Sequence, residues 1–317
     1  MQAVILAAGK GSRLQSITTN RSKAMLPILG KPIVERVMEQ FTENGVDNFI
    51  LVVSPDDRQI TRYFRGESSL KSDIRFVYQP QRLGMADALR WAQPLIEGDF
   101  ILSACDNLIS VEHIRRMLDT WQSEPRSNGI LTLMRMPAEQ LSSTGVVVLQ
   151  GSWVTRIVEK PAPGQAPSDI ASLPLYCFSQ AILEYLGEIK PSPRGEYELQ
   201  DAIQMLIDGQ GRVQGLMVEG RLSLTSPSDL LAINCHYLVE GDEQPQLQLQ
   251  SVGPNTRLVT PLHIERGVVI GADCSIGPNV YIERDCQIGD RVTIRDAILL
   301  REVRIEEKAT VINQVVS

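Results

Sequence analysis

The chain has 317 residues, with 31 Lys plus Arg against 38 Asp plus Glu and a formal net charge of -7. That balance excludes a general nucleic-acid binder, which needs a basic face to neutralise phosphates, but leaves room for a site that holds a few small anions. A hydrophobic fraction of 43% and a charged fraction of 22% suit a chain that buries a core, and the length allows about two domains.

No apolar run approaches the roughly 18–20 residues of a membrane span. The opening MQAVILAAGKGSR has an apolar run without a basic region before it, unlike a signal peptide, so no membrane attachment and a cytoplasmic location are expected. Cys105, Cys177, Cys235, Cys274 and Cys286 are scattered, odd in number and without CxxC spacing, which argues against disulfides or a thiolate zinc site. His113, His236 and His263 are far apart in sequence, so the chemistry falls to carboxylates, lysines and arginines.

In chain order, residues 3–8 (AVILAA) read as a buried strand bounded by Gly9 and Gly11. Residues 32–45 place Val34, Val37, Met38 and Phe41 at helical spacing, with Pro32 at the start and Gly45 at the end. Strands follow at 49–54 and 75–79, a helix at 86–95, a strand at 99–106 and a helix over about 110–122. Strands alternating with helices predict an α/β fold with a Rossmann-like, mostly parallel sheet flanked by helices. In such folds ligands sit outside the carboxyl ends of the strands, which is where Gly9–Arg13 and Asp106 fall.

Residues 130–136, 145–151 and 154–161 read as strands, the last two as a hairpin, and the proline-rich 161–174 as a loop. Strand LYCF (175–178), helices at 179–187 and 198–209, a strand within 212–220 and a helix from Pro227 to Gly241 complete this part. The polar stretch 241–251 reads as a linker. From Val252 aliphatic residues recur every six positions through Leu258, Ile264, Ile270, Ile276, Ile282, Ile288 and Ile294, and resume one residue short at Ile305 and Val311. That period predicts a short parallel β-helix of hexapeptide repeats over 252–317. With a single His263, the tail is read as an element of homo-oligomerisation rather than an acyltransferase, and Cys274 and Cys286 as small core residues.

The motif LAAGKGSRL (6–14) combines glycines that let backbone N–H groups approach a phosphate with Arg13, a multi-donor cation. It matches neither the dinucleotide fingerprint nor the GxxxxGK[ST] loop. SKAMLPILGKP (22–32) places Lys23 where the polar segment between could fold back beside Arg13. Together with YQPQRLGMADAL (78–89), ILSACDN (101–107), STGVVVLQG, IVEKP and KPSPRGEYELQD (190–201), these segments resemble the nucleoside-triphosphate:sugar-1-phosphate nucleotidyltransferases, of the glucose-1-phosphate thymidylyltransferase and uridylyltransferase kind. The resemblance covers about residues 1–240. The hexad tail resembles that of the family's longer members, a left-handed β-helix.

The resemblance implies a catalytic domain over 1–240 and transfer of a nucleotidyl group from dTTP or UTP to a sugar-1-phosphate, such as glucose-1-phosphate, with release of pyrophosphate. The attacking phosphate oxygen is already an anion, so the reaction needs charge neutralisation and in-line positioning rather than a base. Mg2+ suits that task, and Asp106 is the expected ligand. By the resemblance Leu6, Ala8, Gly9, Gly11 and Arg13 hold the nucleotide, with Lys23 on the triphosphate and Gln79 and Gly84 on the base. A Gln amide matches the imide edge shared by thymine and uracil. Lys160 and Arg194 are implied for the sugar phosphate, and Glu159, Gly145 and Tyr176 for the sugar.

The chain departs from the family pattern in three places. Where W-x-D-x-G-T-P is common, the chain reads RLSLTSP (221–227), placing Ser223 at the second metal carboxylate and Arg221 and Thr225 at the aromatic and the glycine. SLPLY (172–176) stands for N-x-G-x-Y, so Ser172 and Pro174 replace asparagine and glycine. Ser16 stands where proline is frequent. Two changes converge on the sugar and metal side, which makes a catalytically weakened, nucleotide-sugar-binding regulatory subunit the alternative reading.

Overall fold

The computed structural model describes residues 1–9, 11–123, 126–240 and 247–317; most of the expected linker, 241–246, lies outside the described residues. The chain divides into two units, Met1–Lys10 with Val37–Arg221, and Gly11–Arg36 with Leu222–Ser317. In this division the SKAMLPILGKP segment and the helix after Pro227 group with the tail.

The first unit is built on a nine-stranded sheet. Its strands are β1 (Gln2–Leu6), β2 (Asn48–Val53), β3 (Asp73–Tyr78), β4 (Phe100–Ala104), β5 (Gly129–Arg135), β6 (Gly145–Gln150), β7 (Trp153–Glu159), β8 (Ile170–Phe178) and β9 (Val213–Met217), in the order β3-β2-β1-β4-β8-β5-β9-β7-β6. The first four are mutually parallel; β1, β2 and β4 are nearly wholly apolar, as strands covered on both faces must be, while the edge strand β3 carries Asp73 and Arg75 and is only partly buried. Beyond β4 the sheet is mixed, because the β6–β7 hairpin and β8 enter antiparallel while β9 lies parallel to β5. The parallel half is Rossmann-like, and the antiparallel half carries the hairpin that the sequence marked.

The helices are α1 (Ile33–Thr42), α2 (Arg58–Gly66), α3 (Met85–Ala92), α4 (Val111–Gln122), α5 (Ala138–Leu141), α6 (Ala181–Tyr185), α7 (Leu199–Asp208) and α8 (Pro227–Glu240). α1 buries Val34, Val37, Met38 and Phe41, the spaced residues of its sequence. α4 is capped by Ser110, whose hydroxyl accepts from the His113 N–H at 3.3 Å. The structure adds to and shifts the sequence reading, which placed no helix at the short α5. α2 was not foreseen; Asp57 caps it at the Ile60 N–H. The expected loop 161–174 ends at Asp169, because Ile170–Pro174 already belong to β8. Pro174 is tolerated there at a register shift between Leu173 and Tyr176, where the ladder is interrupted and needs no N–H from it.

In the second unit short strands pair in parallel across the tail. Ser251 pairs with Val269 and Val269 with Gln287, each 18 residues on, and then Gln287 with Arg304, 17 on. The shortened step is the missing residue of the hexad register. Left-handed backbone recurs at Asn255, Asp273, Arg291 and Lys308, at the same 18- and 17-residue steps as the strand pairs, so this corner stacks as well as the strands. The interior of these ladders is Ile264, Ile270, Ile276, Ile282, Ile288 and Ile294 with Cys274 and Cys286, which are core residues as expected. The ladder begins before Val252: Gln248 N–H already donates to Ile264 O and Gln250 N–H to Val268 O, both at 2.8 Å. No helix among the described residues is long and apolar enough to cross a membrane.

Candidate active site

In the first unit the expected residues gather at the carboxyl ends of β1, β3 and β4, the position that ligands take in open α/β sheets. Ala8 lies two residues beyond β1, Gln79 directly after β3 and Asp106 two residues beyond β4. Leu6 ends β1, and its carbonyl accepts from Cys105 N–H at 3.2 Å. A Cβ on Gly9 would meet nothing within 4 Å, so the backbone there is open to a ligand. Arg82, which the motif reading passed over, ties this end together by donating to Ala8 O at 2.8 Å and to Ser54 Oγ at 3.3 Å.

Gln79 is buried, and its Nε2 donates to Asp87 Oδ2 at 2.7 Å and to Gly84 O at 3.3 Å. Both partners are acceptors, so the amide orientation is forced and both N–H groups are spent. What Gln79 can offer a base is therefore Oε1, an acceptor. Gly84 has φ +99, and a Cβ there would stand 2.6 Å from Tyr197 O. Its need for glycine comes from the close passage of 190–201, whose Tyr197 N–H donates to Leu83 O at 2.7 Å.

The sugar-side residues form one charged cluster. Glu159 Oε1 lies 3.2 Å from Lys160 Nζ and 3.8 Å from Arg194 Nη2. Arg194 also bonds Glu198 at 2.8 Å, and Ser192 donates to the same oxygen. Glu159 Oε2 is buried with no partner. It would stand 3.3 Å from a Cβ on Gly145, so only glycine leaves space beside it. Burial raises the Glu159 carboxyl above its ordinary range, against the opposing pull of Lys160. Lys160 itself has φ +42, a costly conformation for a non-glycine residue, held by its N–H to Thr144 O at 3.0 Å. Tyr176 is fully buried, its hydroxyl 3.1 Å from Ser172 Oγ.

Asp106 is half-buried. Arg221, which replaces the family's aromatic, is placed so that its charge acts on both Asp106 and Tyr176, and it reaches Asn107 Oδ1 at 3.3 Å. Burial lowers its pKa and Asp106 opposes that. A guanidinium therefore shares the surroundings of the expected metal carboxylate. Among the described residues no three His, Cys, Asp or Glu gather as a metal site. Asp106 fits a Mg2+ ion that draws its other ligands from phosphates and water.

In the second unit Gly11 has φ +62, and a Cβ there would press on Lys23 Cβ at 3.1 Å. The folding-back expected of the segment thus brings Lys23 against Gly11, with Arg13 two residues on and exposed. Thr225 and Ser226 donate their N–H groups to Asp229 Oδ2 at 2.8 Å, so the altered RLSLTSP motif is recast as the start of α8.

The model of the nucleotidyl transferase family matches residues 2–238. The chain belongs to the sugar-1-phosphate nucleotidyltransferase family. A second model, the GMPPB C-terminal domain, matches residues 258–317. The bifunctional protein GlmU of Methanococcus maripaludis is 32% identical over 240 residues, covering 75% of this chain and 54% of the relative, so the chain spans about half of that protein. The UTP–glucose-1-phosphate uridylyltransferase AglF of Haloferax volcanii is 30% identical over 234 residues, covering 72% of this chain and 93% of the relative. A crystal structure of UDP-glucose pyrophosphorylase complexed with UDP-glucose superposes with a TM-score of 0.67 at 25% identity, covering 74% of this chain and 97% of that one. This nucleotidyltransferase thus shares its fold with a protein of the family over about three quarters of its length.

Proposed function

We propose that this nucleotidyltransferase joins UTP or dTTP to a sugar-1-phosphate, with glucose-1-phosphate the first acceptor to try. A phosphate oxygen of the sugar-1-phosphate bonds to the α-phosphorus, the α–β bridging bond breaks, and pyrophosphate carries away the electron pair. The observation that carries the reading is Glu159 Oε2, a buried, unpartnered acceptor beside Gly145 with Lys160 and Arg194 within 4 Å of its other oxygen. An acceptor for sugar hydroxyls next to two cations for a phosphate describes a phosphosugar.

Gln79 Oε1 accepts the imide N–H of uracil or thymine; cytosine presents an acceptor at that place and is refused. Backbone at Ala8, Gly9 and Gly11, with Arg13 and Lys23, binds the triphosphate. Asp106 would hold Mg2+, which supplies charge neutralisation between the two phosphates. The 18-residue pairing step of the tail supports a left-handed β-helix of hexapeptide coils that joins copies of the chain.

A second reading rests on Arg221. A half-buried guanidinium near Asp106 and a serine at 223 suit a subunit that binds nucleotide sugar and turns over poorly. Pyrophosphate release over a panel of triphosphates and sugar-1-phosphates with Mg2+ decides between the two. Turnover with a uracil or thymine nucleotide supports the enzyme. No turnover anywhere on the panel, with UTP or UDP-glucose binding intact by calorimetry, supports the regulatory subunit.

A further inference from the structure

Residues 11–36 carry Arg13 and Lys23 but have little regular structure of their own. They hold two single-turn 3-10 helices, Ser12–Leu14 and Lys23–Met25, and a hairpin of two-residue strands, Pro27–Ile28 with Lys31–Pro32. A segment of this kind must be ordered by what it is tied to. The ties lead to the C-terminal part of the same unit at five places. Ser317 Oγ donates to Ser16 O at 2.9 Å, and Arg301 Nη2 to Asn20 O at 3.3 Å. Arg21 meets Glu283 through two parallel bonds of 2.8 and 2.9 Å. Asn234 takes Leu29 N–H at 3.0 Å and donates to Pro27 O at 3.2 Å. Gly30 N–H donates at 3.2 Å to the hydroxyl of Tyr281, which donates in turn to Glu265.

The Arg21–Glu283 pair is the strongest of these. The side chains are 7% and 9% exposed, and Glu283 also accepts the Arg301 N–H at 2.8 Å. A bidentate, desolvated pair holds geometry as well as charge, and removing one member strands the other. Arg21 stands two residues before Lys23 and eight after Arg13. We infer that Arg21 and Glu283 are positioning residues for triphosphate binding, through which the C-terminal ladders set the shape of the nucleotide segment. This rests on the reading of Arg13 and Lys23 as triphosphate ligands. It means that the tail is part of the catalytic apparatus. By linkage, whatever alters the ladders alters nucleotide affinity, and nucleotide tightens the ladders' hold on the segment.

The test compares Arg21→Ala and Glu283→Gln with the full-length wild type, in steady-state kinetics with UTP or dTTP varied and then the sugar-1-phosphate varied. Amide hydrogen exchange over residues 11–25 is followed in parallel. The expected result is a fall of tenfold or more in kcat/KM for the nucleotide, carried mainly by KM, with the sugar-phosphate KM at saturating nucleotide within twofold. Exchange over 11–25 quickens in the variants, and Arg21→Lys, which keeps the charge and loses the fork, falls between. General destabilisation would not single out one substrate. A folded Arg21→Ala with unchanged nucleotide KM overturns the inference, and so does an equal loss for both substrates. Should Arg21→Ala not fold, Arg301→Ala, which removes the side-chain strut to Asn20, carries the same comparison. A wild type silent with every substrate pair overturns the proposed function instead; exchange over 11–25 then still decides whether the pair holds the segment.

Discussion

Arg221 changes what Asp106 can do. A cation whose field reaches a carboxylate competes with any dication for it. Arg221→Ala is therefore expected to lower the Mg2+ concentration for half-maximal activity by roughly three- to tenfold. An Mg2+ titration in which the midpoint stays or rises would show that the two charges are not coupled. Glu159 gives a pH prediction. Burial raises its carboxyl, so it takes up a proton at a higher pH than an exposed glutamate, and as an acceptor for sugar hydroxyls it works only ionised. kcat/KM for the sugar-1-phosphate should fall toward acid with a midpoint above the usual carboxylate range. Glu159→Gln should lose about tenfold at neutral pH and lack this limb; the substrate's own ionisation is common to both proteins and cancels in the comparison. The stability sign is opposite: a raised folded pKa favours the protonated form, so ionised Glu159 costs stability as pH rises. The Gln variant should be no less stable at neutral pH, and a large drop in its melting temperature would contradict this account.

His113 links α4 to β5, with its Nε2 3.0 Å from Thr132 Oγ1 and its Nδ1 buried without a partner. Burial first, and then Arg116, pushes its pKa down to about 4. A depressed folded pKa adds stability that is complete above the ordinary histidine value and is lost as pH falls toward the folded one. Wild type should lose roughly 2 kcal/mol more than His113→Gln between pH 6.5 and 4. Parallel unfolding curves for the two proteins across that window would refute it. Elements were legible where one force dominated. The β1, β2 and β4 runs are apolar because both faces are covered, α1 shows a clean period, and α4 adds the Ser110 cap. α2 escaped notice because Ile60 is its only buried side chain, which leaves no apolar stripe to read. Ile170–Pro174 read as loop because proline lacks an N–H, a rule that the register shift suspends. At the candidate site, motif order put forward Glu159, Lys160, Arg194, Gln79 and Asp106. Gln79's spent amide, Gly84's debt to Tyr197 and Arg221's reach toward Asp106 come from segments far apart in sequence, and no local pattern encodes them.

At the scale of the molecule, the hexad register foretold where the ladders lie but not which segment they hold, since Arg21–Glu283 and Gly30–Tyr281 join residues more than two hundred positions apart. The same ladders bear on assembly. Ser251–Val252 pair on one side only among the described residues, with Val269–Ile270, and so end their sheet. Beside that edge Leu247 is 51% and Val252 46% exposed, an apolar surface at the open end of a stack. Unpaired strand edges with apolar side chains attract another edge, and a second copy of the chain offers one of matching spacing. A charge at the centre of such a contact would be desolvated without a partner. Wild type should therefore run in light scattering after size exclusion at a mass of at least twice 35.2 kDa, and Val252→Asp should shift it toward 35.2 kDa while leaving the melting temperature of the folded chain near that of wild type. A wild type that is monomeric at tens of micromolar would remove the assembly role from this end of the tail and leave the hold on residues 11–36 as what the ladders do.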